Sequence, residues 1–137
     1  MTNDAVADLL IRIKNSYMVR KKVIEVDYFG LGGEILRILK SNKFIKDFRV
    51  KEVPFARKKD KTRKVFEIEL LYLKRKAVLD GVERVSKCGV RMYEGKDDLK
   101  KYLSKVGIYI VSTSKGVMSL GEAIKAGSGG EVICRVW

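Results

Sequence analysis

The sequence predicts an α/β fold of the α+β kind, made of two small, closely packed halves, and three observations lead there. Segments whose apolar residues recur every three to four positions alternate with segments of strict period two, so helices and strands are interspersed along the chain. Apolar residues make up 46% of the 137 and only one residue is proline, a composition that packs a core and does not suit a solvated, disordered chain. The cluster Lys74, Arg75, Lys76 then breaks the apolar pattern near mid-chain. It sets an N-terminal half, 1–74, of helix, strand, helix and hairpin against a C-terminal half, 75–137, of mostly antiparallel strands with short helices.

Val6, Leu9, Leu10 and Ile13 have helical spacing between Asp4 and Ser16, with Asn3 or Thr2 available as N-cap. Ile24, Val26 and Tyr28 alternate with acids in a short strand that stops at Gly30. Ile35, Leu36, Ile38 and Leu39 supply the face of a second helix, and Asn42 is its stop. In the strand that follows, Phe44, Phe48 and Val50 share an inner face and Pro54 ends the run; Phe66, Ile68, Leu70 and Tyr72 form its partner. The connection ARKKDKTRK makes the pair a β-hairpin whose tip, Arg57 to Lys64, is a charged loop. That tip is either plain solvated chain or an arm whose Lys58, Lys59 and Lys61 contact phosphate.

In the second half, VLDGVERVS and VRMY read as strand, turn and strand around Cys88 and Gly89, with Val90 and Met92 facing in. Arg91 and Tyr93 then share the other face, a cation beside an aromatic ring where a base or ribose could lie. Leu99, Tyr102, Leu103 and Val106 form a helical stripe for the core, followed by Gly107 as a C-terminal cap. IYIVS is a strand, Ser119 and Glu122 have capping-box spacing for a short helix ending at Gly127, and EVICRVW turns Val132, Cys134 and Val136 inward.

Charge narrows the function. Thirty Lys and Arg stand against seventeen Asp and Glu, a net charge of +13 with no histidine. Such self-repulsion suits a polyanionic partner, nucleic acid first. A membrane partner would need an apolar span or a lysine-lined amphipathic helix, and no such span exists. The N-terminal segment is too acidic at Asp4 and Asp8 for a signal peptide, so the protein is expected in the cytosol. Cys88 and Cys134 lie far apart with no histidine to complete a metal site, and a reducing cytosol disfavours their pairing. No cofactor or metal is expected. Ser112 and Lys115 match the S-x-x-K spacing of penicillin-recognising enzymes, but the companion S-D-N and K-T-G elements and any histidine base are missing, so no small-molecule substrate is expected either.

The run STSKGVMS, residues 112–119, sets three hydroxyls, a lysine and a glycine directly after an apolar strand. Hydroxyls can donate to phosphate or ribose and accept from base amines, Lys115 adds charge, and Gly116 permits close approach. On composition alone it is also an ordinary turn ahead of a capped helix.

VSTSKGVMS followed by GGEVICRVW resembles the C-terminal part of small-subunit ribosomal protein number eight, DAVADLLIRIKN is similar to that family's opening helix, FIKDF to its second strand, and RVSKCGVRMY to its central hairpin. The resemblance covers nearly the whole chain. It implies a constituent of the small ribosomal subunit that binds the central domain of its RNA early in assembly, contacts neighbouring ribosomal proteins and, as in bacterial relatives, represses translation of its own messenger. Carried over residue by residue, it implies RNA contacts at Ser112, Thr113, Ser114, Lys115, Gly116, Tyr93, Gly130 and Glu131, with backbone contacts from Thr2, Asp4 and Arg12. Cys88 departs from the family's usual proline, and Leu120 with Gly121 from its usual acid and arginine. The other reading is an RNA-binding regulator of similar fold outside the ribosome.

Overall fold

The structure, a computed structural model, describes residues 4–137; the side chains of Lys58 and Lys59 also lie outside the described parts. The chain forms two compact units, one spanning Ile11–Leu79 and the other Asp80–Trp137 together with the segment through Leu10. Helix α1 (Ala5–Met18) therefore begins in one unit and ends in the other. Its N-cap is Asp4, whose carboxylate accepts from the Ala7 N–H at 3.1 Å. The caps expected at Thr2 and Asn3 lie outside the described residues.

In the unit Ile11–Leu79, β1 (Val23–Asp27), α2 (Gly30–Ser41), β2 (Asp47–Phe55) and β3 (Lys58–Glu69) follow in order, and the strands form an antiparallel sheet in the order β1-β3-β2. Register places Ile24, Ile68 and Phe48 in one row and Val26, Phe66 and Val50 in the next. Ile24, Val26, Phe66 and Ile68 are buried, as are Ile35, Leu36, Ile38 and Leu39 of α2 and Ile13 and Tyr17 of α1. The Tyr17 hydroxyl donates to the Phe44 carbonyl and accepts from the Leu71 N–H, so its burial leaves no polar orphan.

Three expectations need correction in this unit. β2 begins only at Asp47, Ile45 is buried where Phe44 was expected, and Val50 is 46% exposed. Pro54 does not end β2 but pairs with Thr62, because β2 is an edge strand and its proline withholds no bond from a further neighbour. The basic tip is no loop: the turn is Ala56–Arg57, and the cations sit on β3 with a register irregularity between the Pro54–Thr62 and Phe55–Lys58 pairs. β1 pairs with β3 only from Val65 to Glu69, so the outer β2–β3 ribbon is two strands wide with water on both faces. Charged side chains stay solvated there while the backbone is still paired.

A small hairpin follows, β4 (Tyr72–Leu73) and β5 (Lys76–Ala77), turned by Lys74 and Arg75 at φ 51° and 67°. The left-handed pair matches the strand twist of a two-residue hairpin, and the unit ends at Leu79.

In the other unit, β6 (Val82–Arg84), β7 (Tyr93–Glu94), a 3₁₀ helix (Leu99–Ser104), β8 (Ile108–Thr113), β9 (Gly116–Ser119), α3 (Leu120–Ala126) and β10 (Gly130–Val136) build a sheet of order β6-β10-β8-β9, with β7 also on β10. Leu99, Tyr109, Val111, Leu120, Ala123 and Val132 form its core. The expected pairing of two strands around Cys88 is replaced by a single bridge, Lys87 to Val90; β6 and β7 instead line up one after the other along β10. Residues 85–92 form the excursion between them, and Val90 is 61% exposed there.

The expected stripe is only half in the core. A 3₁₀ turn repeats every three residues, so Leu99 and Tyr102 eclipse and pack inward, while Leu103 and Val106 are left exposed. Gly107 does not cap that helix, whose C-cap is Lys105. The capping position of α3 is as expected, Ser119 Oγ accepting from the Glu122 N–H, and Gly127 ends the helix at φ 65°. On β10, a register shift between Val132 and Cys134 lets Ile133 be buried along with both neighbours.

Candidate nucleic-acid interface

Antiparallel register gathers residues far apart in sequence. Tyr93 of β7, Glu131 of β10, Ser112 of β8 and Val117 of β9 lie in one row across four strands, and Glu94, Gly130, Thr113 and Gly116 form the adjacent row. Directly opposed residues of an antiparallel ladder project to the same face, so Tyr93, Glu131 and Ser112 stand side by side. The Tyr93 ring is 69% exposed. Arg91 reaches the row by an ion pair of 3.1 Å to Glu131, and the carboxylate raises the Arg91 guanidinium above its ordinary value. A phenol ring, a guanidinium and a half-buried hydroxyl thus share one face.

The turn Ser114–Lys115 joins β8 to β9 beyond this row. Thr113 holds it from within: its hydroxyl donates to the Gly116 carbonyl at 2.8 Å and accepts from the Lys115 N–H at 3.1 Å. Gly116 has φ 117°, a backbone state that side chains rarely adopt, and its Cα faces open space. Lys115 Nζ rests 3.3 Å from the Ala126 carbonyl at the C-terminal end of α3. Such an exposed contact is weak enough to give up for a phosphate. Among the described residues the hydroxyls of Ser112 and Ser114 have no hydrogen-bond partner.

The backbone around the turn is tightly set. A Cβ on Gly130 would stand 2.0 Å from the Ser112 carbonyl oxygen, so only glycine lets β10 close on β8 at this row. Behind it, Glu94 accepts from Tyr102 at 2.8 Å and pairs with Lys101 at 2.9 Å. The hydrogen bond from Lys101, then that from Tyr102, lowers the Glu94 carboxyl, while burial first and Glu94 second push the Tyr102 phenol up to about 12. Glu94 carried no signal in the sequence and Tyr102 only that of the core stripe, because their joint role depends on the fold.

Of the other residues expected to meet RNA, Asp4 turns its carboxylate inward to Arg84 at 3.0 and 3.3 Å. Burial alone would raise its carboxyl, but the bonds from Ala7 and Arg84 outweigh it and the net effect is to lower it. Arg12 belongs to the other unit, on the rim of a cleft of about 610 Å³ with Asn15, Lys21 and Glu25. Lys61 is exposed on the β2–β3 ribbon; Lys58 and Lys59 lie on the same strand. Thr2 lies outside the described residues. Cys88 is exposed and Cys134 buried, both free. Among the described residues no cluster of His, Cys, Asp or Glu could hold a metal ion, and no helix is long and apolar enough to cross a membrane.

The family model for ribosomal protein S8 matches residues 4–137, essentially the whole chain. The chain belongs to the ribosomal protein S8 family: it is a structural protein of the small ribosomal subunit, not an enzyme, whose partners are ribosomal RNA and neighbouring ribosomal proteins and whose place is the ribosome, in the cytoplasm.

Proposed function

We propose that the row Tyr93, Glu131, Ser112, together with the β8–β9 turn, is the specificity element for ribosomal RNA, and that its target is a helix of the central domain with an irregular core, bound early in assembly. The observation that carries this reading is the convergence of an exposed ring, an ion-paired guanidinium and unpartnered hydroxyls at one end of an antiparallel sheet. An irregular RNA helix splays bases and presents 2′-hydroxyls, which need fixed donors, acceptors and a stacking surface, and regular DNA of the same sequence lacks them. Ser112, Ser114 and the backbone of Lys115 and Gly116 supply the polar contacts and Tyr93 and Arg91 the stacking. Gly130 and Thr113 hold the geometry, and Glu131 orients Arg91.

Arg12, with Thr2, adds backbone contacts, whereas Asp4 serves RNA only by keeping its own unit folded. Lys58, Lys59 and Lys61 add phosphate attraction without sequence preference. A messenger segment that mimics the same irregular helix would be held by the same surface, which is how the protein would repress its own translation.

The test compares a central-domain RNA fragment with a scrambled RNA and with DNA of the same sequence, at one salt concentration. Ser112→Ala with Ser114→Ala should cost about 1 to 3 kcal/mol on the cognate fragment only. Equal losses on scrambled RNA, or equal binding of RNA and DNA, would overturn the assignment.

A further inference from the structure

We infer that the unit Ile11–Leu79 carries a second RNA-binding site, a stacking pocket for an unpaired nucleotide where β3 outruns β1, built from Tyr28, Phe55, Arg63 and Lys64. This inference rests on RNA being the partner, which family membership supplies, and is independent of the β8–β9 turn.

The pocket follows from register. β1 pairs with β3 from Val23–Glu69 to Asp27–Val65, and the last bond along that edge is the Tyr28 N–H to the Lys64 carbonyl. Beyond Lys64, β3 keeps only β2 as a neighbour. A cleft of about 510 Å³ opens at this step and is lined by Asp27, Tyr28, Phe55, Arg63 and Lys64. Two aromatic side chains border it, each 44% exposed. Exposing such rings costs hydrophobic free energy, so a monomeric surface seldom keeps two at one cleft without a use for them.

The lining decides the ligand. Tyr28 leans on Phe66 with ring centroids 5.0 Å apart, which fixes its plane, and Lys64 Nζ lies 5.7 Å from its centroid. Asp27 is ion-paired with Arg63 and holds that guanidinium at the rim. Lysine, arginine and aspartate together leave a net positive lining, and the ribbon adds Arg57 and Lys61 nearby in sequence. A cleft with ring faces in its wall and exposed cations at its edge matches a base with its phosphates: the base stacks and the exposed Lys64 swings to the phosphate. A regular duplex, whose bases are already stacked, could use only the cations.

The probes are oligoadenylate of six nucleotides and an abasic ribose phosphate chain of equal length and charge, titrated against the full-length chain at one salt concentration. Oligoadenylate should bind at least about fivefold tighter, since one stacked base contributes that much or more. Phe55→Leu, which keeps apolar bulk without a ring face, and separately Tyr28→Leu should reduce that preference, with circular dichroism confirming the fold. Phe55 is the safer variant, because Tyr28 also packs on Phe66. Equal binding of the two probes, or a preference untouched by Phe55→Leu in a folded protein, overturns the site. So does tighter binding of a hexaglutamate peptide, which would make the cleft a protein-docking surface. The cognate-against-scrambled comparison reads the β8–β9 turn, so failure of either site is seen separately.

Discussion

Removing the Asp4 carboxylate should destabilise the unit that contains Arg84. Asp4 has two jobs: it caps α1 through the Ala7 N–H and neutralises Arg84, whose side chain is 12% exposed against 26% for its own. A lost N-cap costs about 1 kcal/mol. The pair lies between an exposed one, worth roughly 0 to 1 kcal/mol, and a fully buried one, whose breaking costs about 3 to 5. Arg84 keeps its bond to the Ile133 carbonyl at 2.6 Å, which softens the loss. Asp4→Ala should therefore cost about 2 to 4 kcal/mol, and Asp4→Asn about 1 less, because asparagine still caps.

Urea unfolding followed by fluorescence of Trp137, the single tryptophan and a member of the same unit, measures both. The sign with pH is set by the lowered Asp4 carboxyl. A folded value below the unfolded one stabilises fully above the unfolded value, about 3.9 for aspartate, and is lost as pH falls through the folded value. The gap between the natural protein and Asp4→Asn should be whole at neutral pH and shrink below about pH 4. A loss under about 0.5 kcal/mol for Asp4→Ala, identical Ala and Asn variants, or a gap that persists to about pH 2 would refute the reasoning.

Gly130→Ala places a methyl 2.0 Å from the Ser112 carbonyl oxygen, a backbone atom that cannot swing aside as a flexible side chain would. It should cost at least about 1 to 3 kcal/mol, speed hydrogen exchange along β8 and β10, and lower cognate RNA affinity; unchanged exchange would disprove the close fit. Thr113→Val should loosen the turn, by about 1 kcal/mol, and expose the Lys115 amide to exchange, whereas Ser114→Ala should leave stability within about 0.5 kcal/mol. Similar exchange in the two variants would show that Thr113 does not hold the turn. With a thiol reagent at about pH 8, Cys88 should react at once and Cys134 only on unfolding, because burial pushes the Cys134 thiol up to about 12. Two fast thiols would contradict the packing of β10.

Elements that follow from local pattern were legible in the sequence. Four helical positions of α2 and the alternation of β1 need only a period and a face, and Ser119 and Gly127 bound α3 by chemistry that acts within four residues. The basic composition was equally plain, and with it a nucleic-acid partner, while the STSKG turn pointed to RNA through the family resemblance that it helps to carry. Errors arose where a residue's environment depends on distant chain. The cationic run was expected as a loop because its side chains must be solvated, but a ribbon beyond the end of β1 solvates them while keeping its ladder. Leu103 and Val106 satisfied a helical period that the 3₁₀ helix does not have.

The amino-acid sequence by itself determined where α1, α2, α3 and the alternating strands β1 and β8 lie, that the chain is strongly basic, and which short run offers hydroxyls, a cation and a flexible glycine together. Only tertiary structure decided what those groups do. Thr113 and Ser114 are neighbours of similar chemistry, yet one hydroxyl is spent within the turn and the other is free. Asp4 looked available to RNA and is turned to Arg84, a residue eighty positions away. Tyr93, Glu131 and Ser112 become neighbours only through the pairing of β7 and β8 on either side of β10. The physical reason is range: periodicity, capping and charge act within a few residues, whereas hydrogen-bond partnership, burial and register belong to pairs that only the folded chain brings together.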